Sequence, residues 1–69
     1  MPQENANHPN HGEKWKHWGN GEVYTIEYPG VNMKDGSTRW IPGVVYSKQG
    51  QVYCRSLLSF LKAFEKVVE

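Results

Sequence analysis

The sequence predicts a small α+β domain: a curled antiparallel sheet of about four or five short strands, with one C-terminal amphipathic helix. Three observations carry this. Runs rich in β-branched and aromatic residues fill the chain from Glu22 onward, turn-forming glycines separate them, and the apolar period changes from two to three-and-four after Ser56. With 69 residues the chain forms one domain, near the lower size at which a single apolar core holds a fold together.

The opening stretch, MPQENANHPNHGEK, has no large apolar residue after Met1 and cannot bury enough surface to offset its ordering entropy. Residues 1–18 are therefore expected to be a flexible tail, with the domain spanning 19–69. Within the tail, WKHW supplies two large aromatics, so this segment either docks through Trp15 or Trp18 or stays mobile. GNG at Gly19 to Gly21 is a turn. EVYTIEY follows as a strand bounded by Pro29-Gly30, with Tyr24, Ile26 and Tyr28 on its core face.

Asp35-Gly36 suits a two-residue type I′ hairpin, in which both central residues need positive φ. That turn pairs Met33 with Thr38 and Val31 with Trp40, gathering these four on one face and leaving Asn32, Lys34, Ser37 and Arg39 on the other. Pro42-Gly43 should bend or bulge the next strand. For the second hairpin, a three-residue loop Lys48-Gln49-Gly50 with Gly50 left-handed pairs Tyr46 with Val52 and Val44 with Cys54. In that register Tyr53 and Arg55 lie on the opposite face and form a contact surface. Finally, Leu57, Phe60, Leu61, Phe64, Val67 and Val68 recur at helical spacing after the N-cap candidate Ser56, so the helix should run to the end of the chain and fray there.

Composition narrows the function classes. Eight Lys+Arg against seven Asp+Glu give a net charge of +1, which provides little long-range attraction for nucleic acid or anionic lipid. One cysteine excludes an internal disulfide, and no spaced cysteine pair suggests a metal framework. No apolar run approaches the ~18 residues of a bilayer span and no signal-peptide pattern opens the chain, so a cytoplasmic protein without membrane contact is expected. His8, His11 and His17 stand beside glycine and proline, far from zinc-binding spacings, and neither metal nor cofactor is expected. Cys54 with His17 is the one nucleophile and base combination, but no orienting third group accompanies it, and the chain is expected not to be an enzyme. Aromatics near cations are what stacking on single-stranded bases needs, which makes weak nucleic-acid binding the runner-up. A protein partner fits better, since a short bent sheet offers edges and aromatic anchors; Tyr53, Arg55, Arg39, Trp15 and Trp18 are the candidate contact residues. A core this small also gains from a second copy, so a homodimer stays open.

Residues Tyr24, Val44, Val45, Tyr46, Tyr53, Arg55, Phe60, Leu61 and Phe64 form a pattern of VVY, then an aromatic and an arginine, then F-L-x-x-F. On this pattern the chain resembles a group of short uncharacterised bacterial and bacteriophage proteins over roughly Gly21 to Val67. It departs from that group where Ser56-Leu57 replaces a proline after the arginine, and in the Pro42-Gly43 pair. The resemblance implies a small β-rich fold similar to an SH3 barrel and a phage or prophage setting; it implies no activity.

Overall fold

The computed structural model describes residues 8–34, 36 and 38–68. It contains β1 (Lys14–His17), β2 (Val23–Lys34), β3 (Trp40–Lys48), β4 (Gln51–Ser56), α1 (Leu57–Ala63) and β5 (Phe64–Lys66). The strands form one antiparallel sheet in the order β4-β3-β2-β1-β5, and α1 lies against one of its faces. Trp15, Ile26, Val44, Tyr46, Phe60 and Phe64 are buried between helix and sheet, with Tyr24, Leu57, Leu61 and Ala63 packed around them. Among the described residues, no helix is long and apolar enough to cross a membrane.

The expected domain boundary at residue 19 falls inside this sheet. β1 lies between β2 and β5, pairing Trp15 with Tyr24 and Lys66, and Trp15 is only 3% exposed. Polar neighbours hide this strand from a composition argument, but its alternate residues Trp15 and His17 face the core side while Lys14 and Lys16 face away. The Trp15 indole N–H donates to Glu13 Oε1 at 3.0 Å, and Pro9 is also fully buried. Residues 1–7 of the expected tail lie outside the described residues.

Three registers differ from expectation. In β2, Pro29-Gly30 does not end the strand but sits within it, and register shifts fall between Ile26 and Tyr28 and between Tyr28 and Val31. The extra residue at Glu27 turns Tyr28 away from Ile26 and onto the opposite face beside Val45. Between β2 and β3, Lys34 pairs with Trp40 and Met33 with Ile41, so the connection is longer than a two-residue turn; Asp35 and Ser37 lie outside the described residues. The three-residue difference is odd, so it reverses Trp40, which sits with Lys34 Nζ 4.7 Å from its ring rather than with Met33. The bend is carried by β2, and Pro42 and Gly43 pair regularly with Asn32 and Val31.

Between β3 and β4, Lys48 pairs with Gln51 across a two-residue turn in which both Gln49 (φ 52°) and Gly50 (φ 83°) are left-handed. The one-residue change from the expected loop inverts all of β4. Tyr53 and Arg55 pair with Tyr46 and Val44 on the helix side, whereas Val52 and Cys54 pair with Ser47 and Val45 on the far side. Cys54 is exposed and is not a core residue.

Ser56 caps α1 as its sequence suggests, its Oγ accepting from the Ser59 N–H at 3.2 Å. The helix nevertheless stops at Ala63. Phe64 adopts extended backbone (φ −128°, ψ 156°), pairs with His17, and stacks on Phe60 with ring centroids 4.2 Å apart. Pairing with β1 satisfies backbone groups that a last helical turn would leave open next to acidic residues, and Val68 is exposed instead of lying on the core.

Candidate functional site

The five expected contact residues do not converge. Trp15 is core. Trp18 is 61% exposed in the β1–β2 turn, with its backbone N–H tied to Ala63 O. Arg39 precedes β3 and is distant from Arg55, which pairs with Val44 at mid-strand, five residues from Arg39, or roughly 16 Å of extended chain. Tyr53 is 41% exposed and stacks on Tyr46 at 5.6 Å. Arg55 is half-buried on the helix side.

Two surfaces carry chemical interest. The first is the side of the sheet away from α1. Cross-strand partners share a face, so the rows Tyr28–Val45–Cys54, Val31–Gly43 and Met33–Ile41 lie together there, with Val52 beside them. Tyr28 is 63% and Val52 67% exposed, and Cys54 is exposed with its Sγ 3.8 Å from Met33 Sδ. Gly43 leaves room for the Met33 side chain in this surface: a Cβ there would stand 2.6 Å from Met33 Sδ and 3.2 Å from Arg55 O. Charge enters this surface at Glu27, whose carboxylate accepts from Ser47 Oγ beside Val52, and at the β1 side, where Lys16 faces Glu65 at 3.8 Å and Lys14 Nζ donates to Thr25 Oγ1 at 2.9 Å.

The second surface is centred on Arg55. Its Nε donates to Tyr46 Oη at 2.9 Å and its Nη1 to Ser59 Oγ at 3.3 Å, while Nη2 lies 3.4 Å from His17 Nε2. Phe64 lies under the guanidinium at 5.6 Å and against the His17 ring at 4.8 Å, and Tyr24, Tyr46 and Tyr53 continue the aromatic floor. The imidazole is fixed from its other edge, because Nδ1 accepts from the backbone N–H groups of Gly19 (3.0 Å) and Asn20 (3.2 Å). Gly19 permits this: a Cβ there would stand 2.7 Å from the ring's Cε1.

Cys54 and His17 lie on opposite faces of the sheet, so they form no nucleophile and base pair. Among the described residues, no group of three or more His, Cys, Asp or Glu side chains is placed to hold a metal ion. Compared with family models, with curated proteins and with solved structures, the chain matches none of them.

The far-side residues Tyr28, Val31, Met33, Ile41 and Val45 were not expected to act together; the register shifts in β2 and its pairing with β3 bring them onto one surface, and the β3–β4 turn adds Val52 and Cys54. The available signal was Gln49-Gly50 read as a two-residue turn, which places Val52 and Cys54 beside Val45. For His17 the signal was Gly19 two residues on, a spacing that allows the ring to lie over the backbone.

Proposed function

We propose that the chain is a non-enzymatic protein-binding or adaptor module, and that the face of the sheet away from α1 is its contact surface. The carrying observation is the run of apolar side chains across three strands on that face, with Tyr28 and Val52 extended into solvent. An uncovered apolar surface of this kind on a small domain marks an interaction site. The Tyr28–Val45–Cys54, Val31–Gly43 and Met33–Ile41 rows supply the apolar part of such an interface, and Glu27, held by Ser47, together with the lysines of β1 supplies its polar part. The strand order, with a short helix between β4 and β5, supports an SH3-like reading of the fold.

Local pairing of the cations favours protein over single-stranded nucleic acid. Lys16, Lys48 and Lys66 stand opposite Glu65, Glu22 and Glu13, and Lys14 is held by Thr25. Phosphate contacts would have to compete with these partners.

The test is capture from nuclease-treated lysate on the immobilised chain, comparing the wild type with Tyr28→Asp and Val52→Asp. Both positions are exposed, so the variants should keep the wild-type circular dichroism. A stoichiometric protein retained by the wild type and lost from both variants supports the reading. Retention of only nuclease-sensitive material, or a partner indifferent to both substitutions, overturns it.

A further inference from the structure

We propose that Arg55 and His17 together form a binding site for a carboxylate group, separate from the apolar face of the sheet. His17 Nδ1 accepts two backbone N–H groups, so its lone pair is committed and the ring proton of the neutral form resides on Nε2. That N–H points toward Arg55 Nη2, itself a donor, at 3.4 Å. Two donors therefore face each other across a hydrogen-bond distance.

The rest of the guanidinium sharpens the point. Nε and Nη1 end on the hydroxyl oxygens of Tyr46 and Ser59, and each hydroxyl, while accepting, keeps its own hydrogen free to donate. No carboxylate lies within ion-pair distance of Arg55 among the described residues. The site thus gathers one fixed positive charge, an imidazole N–H and two hydroxyl donors. An oxygen accepting from both Arg55 Nη2 and His17 Nε2 would relieve the donor–donor contact, and a single negative charge would match the guanidinium. A carboxylate supplies both. Arg55 and His17 are each half-buried, so their donors are partly shielded from water without being sealed from it. Tyr53, 41% exposed, adds apolar surface for the remainder of a carboxylate-bearing peptide.

The experiment is an NMR titration of the isotope-labelled full chain with acetate at constant ionic strength, with chloride and inorganic phosphate as parallel arms. The expected result is a saturating shift of the Arg55 side-chain N–H and His17 ring signals with acetate, and none with chloride. His17→Asn keeps an acceptor for the Gly19 and Asn20 N–H groups while deleting the Nε2 donor, and it should abolish saturation without unfolding the protein; Arg55→Gln should do the same. Short peptides with a free or an amidated C-terminus then show whether a chain terminus or a free acid is preferred. Absence of a saturating acetate response, an unchanged response in His17→Asn, or tighter saturation by phosphate than by acetate would overturn the assignment. None of these outcomes depends on the partner of the apolar face.

Discussion

Substituting Gln49 tests the turn that decides which way β4 faces. Gln49 sits at φ 52° and Gly50 at φ 83°, closed by the Lys48–Gln51 pair. An L-residue in the left-handed region costs about 1–2 kcal/mol, of which asparagine avoids part because its short polar side chain tolerates that conformation. Gln49→Asn should therefore stabilise the protein by about 0.5–1 kcal/mol. At about 4–8 °C per kcal/mol for a domain of this size, the thermal midpoint rises by roughly 2–8 °C. Gly50→Ala, placing a Cβ at φ 83°, should lower stability by about 1–2 kcal/mol. Chemical denaturation followed by tryptophan fluorescence gives both values. In a three-residue loop of Lys48, Gln49 and Gly50, Gln49 would be right-handed and asparagine would bring no gain. A neutral or destabilising Gln49→Asn therefore refutes the two-residue turn, and with it the assignment of Val52 and Cys54 to the exposed face.

Further outcomes follow from the core and its edges. A chain beginning at Gly19 lacks β1 and Trp15, leaving β2 and β5 without the strand between them, and should show no cooperative unfolding transition; a cooperative transition would contradict the place of β1 in the sheet. Phe60→Ala removes a fully buried ring stacked on Phe64 and should cost about 3–5 kcal/mol by denaturant titration, whereas a loss below about 1 kcal/mol would contradict the packing. At Glu13, burial pushes the carboxyl pKa up, but hydrogen bonds from Trp15, Asn10 and Lys66 outweigh it and hold the group at about 2. Because the folded value lies below the unfolded one, this contribution is complete above the unfolded pKa and is lost as pH falls through about 2. Glu13→Gln should remove a pH-dependent stabilisation of about 1 kcal/mol after solvent screening; acid-unfolding profiles of equal steepness would contradict it.

The α+β class was legible because it rests on local patterns: dense β-branched and aromatic runs, glycine turns, and a capped apolar helix start at Ser56. Register was not, because it depends on single residues whose role is set by distant pairing. Glu27 as a bulge and Gln49 as a left-handed residue carry no compositional mark, yet each moves its following residues to the other face. Phe64 fits the helical spacing of Phe60 and Leu61 as well as it fits a strand, and pairing with His17 in β1 selects the strand. β1 was missed for a related reason: KWKH alternates, but with lysines and a histidine its burial becomes visible only once strands lie on both sides. The candidate site depended on these registers throughout. Tyr53 and Arg55 were rightly distinguished from Val52 and Cys54 as the opposite set, but the face assigned to each set was inverted.

The most direct measurement of the proposed function uses Cys54, the single cysteine, as a probe on the β4 edge of the apolar face. A thiol-reactive photo-crosslinker is attached there in the native protein, and in a control variant it is attached at Lys62→Cys with Cys54→Ser, on exposed helix surface. After irradiation in nuclease-treated lysate, the account predicts a discrete protein adduct from Cys54 that is absent from the Lys62 position and lost on Tyr28→Asp. Equal adducts from both positions, or adducts only with nucleic acid, would contradict the claim that this face of the sheet binds a protein.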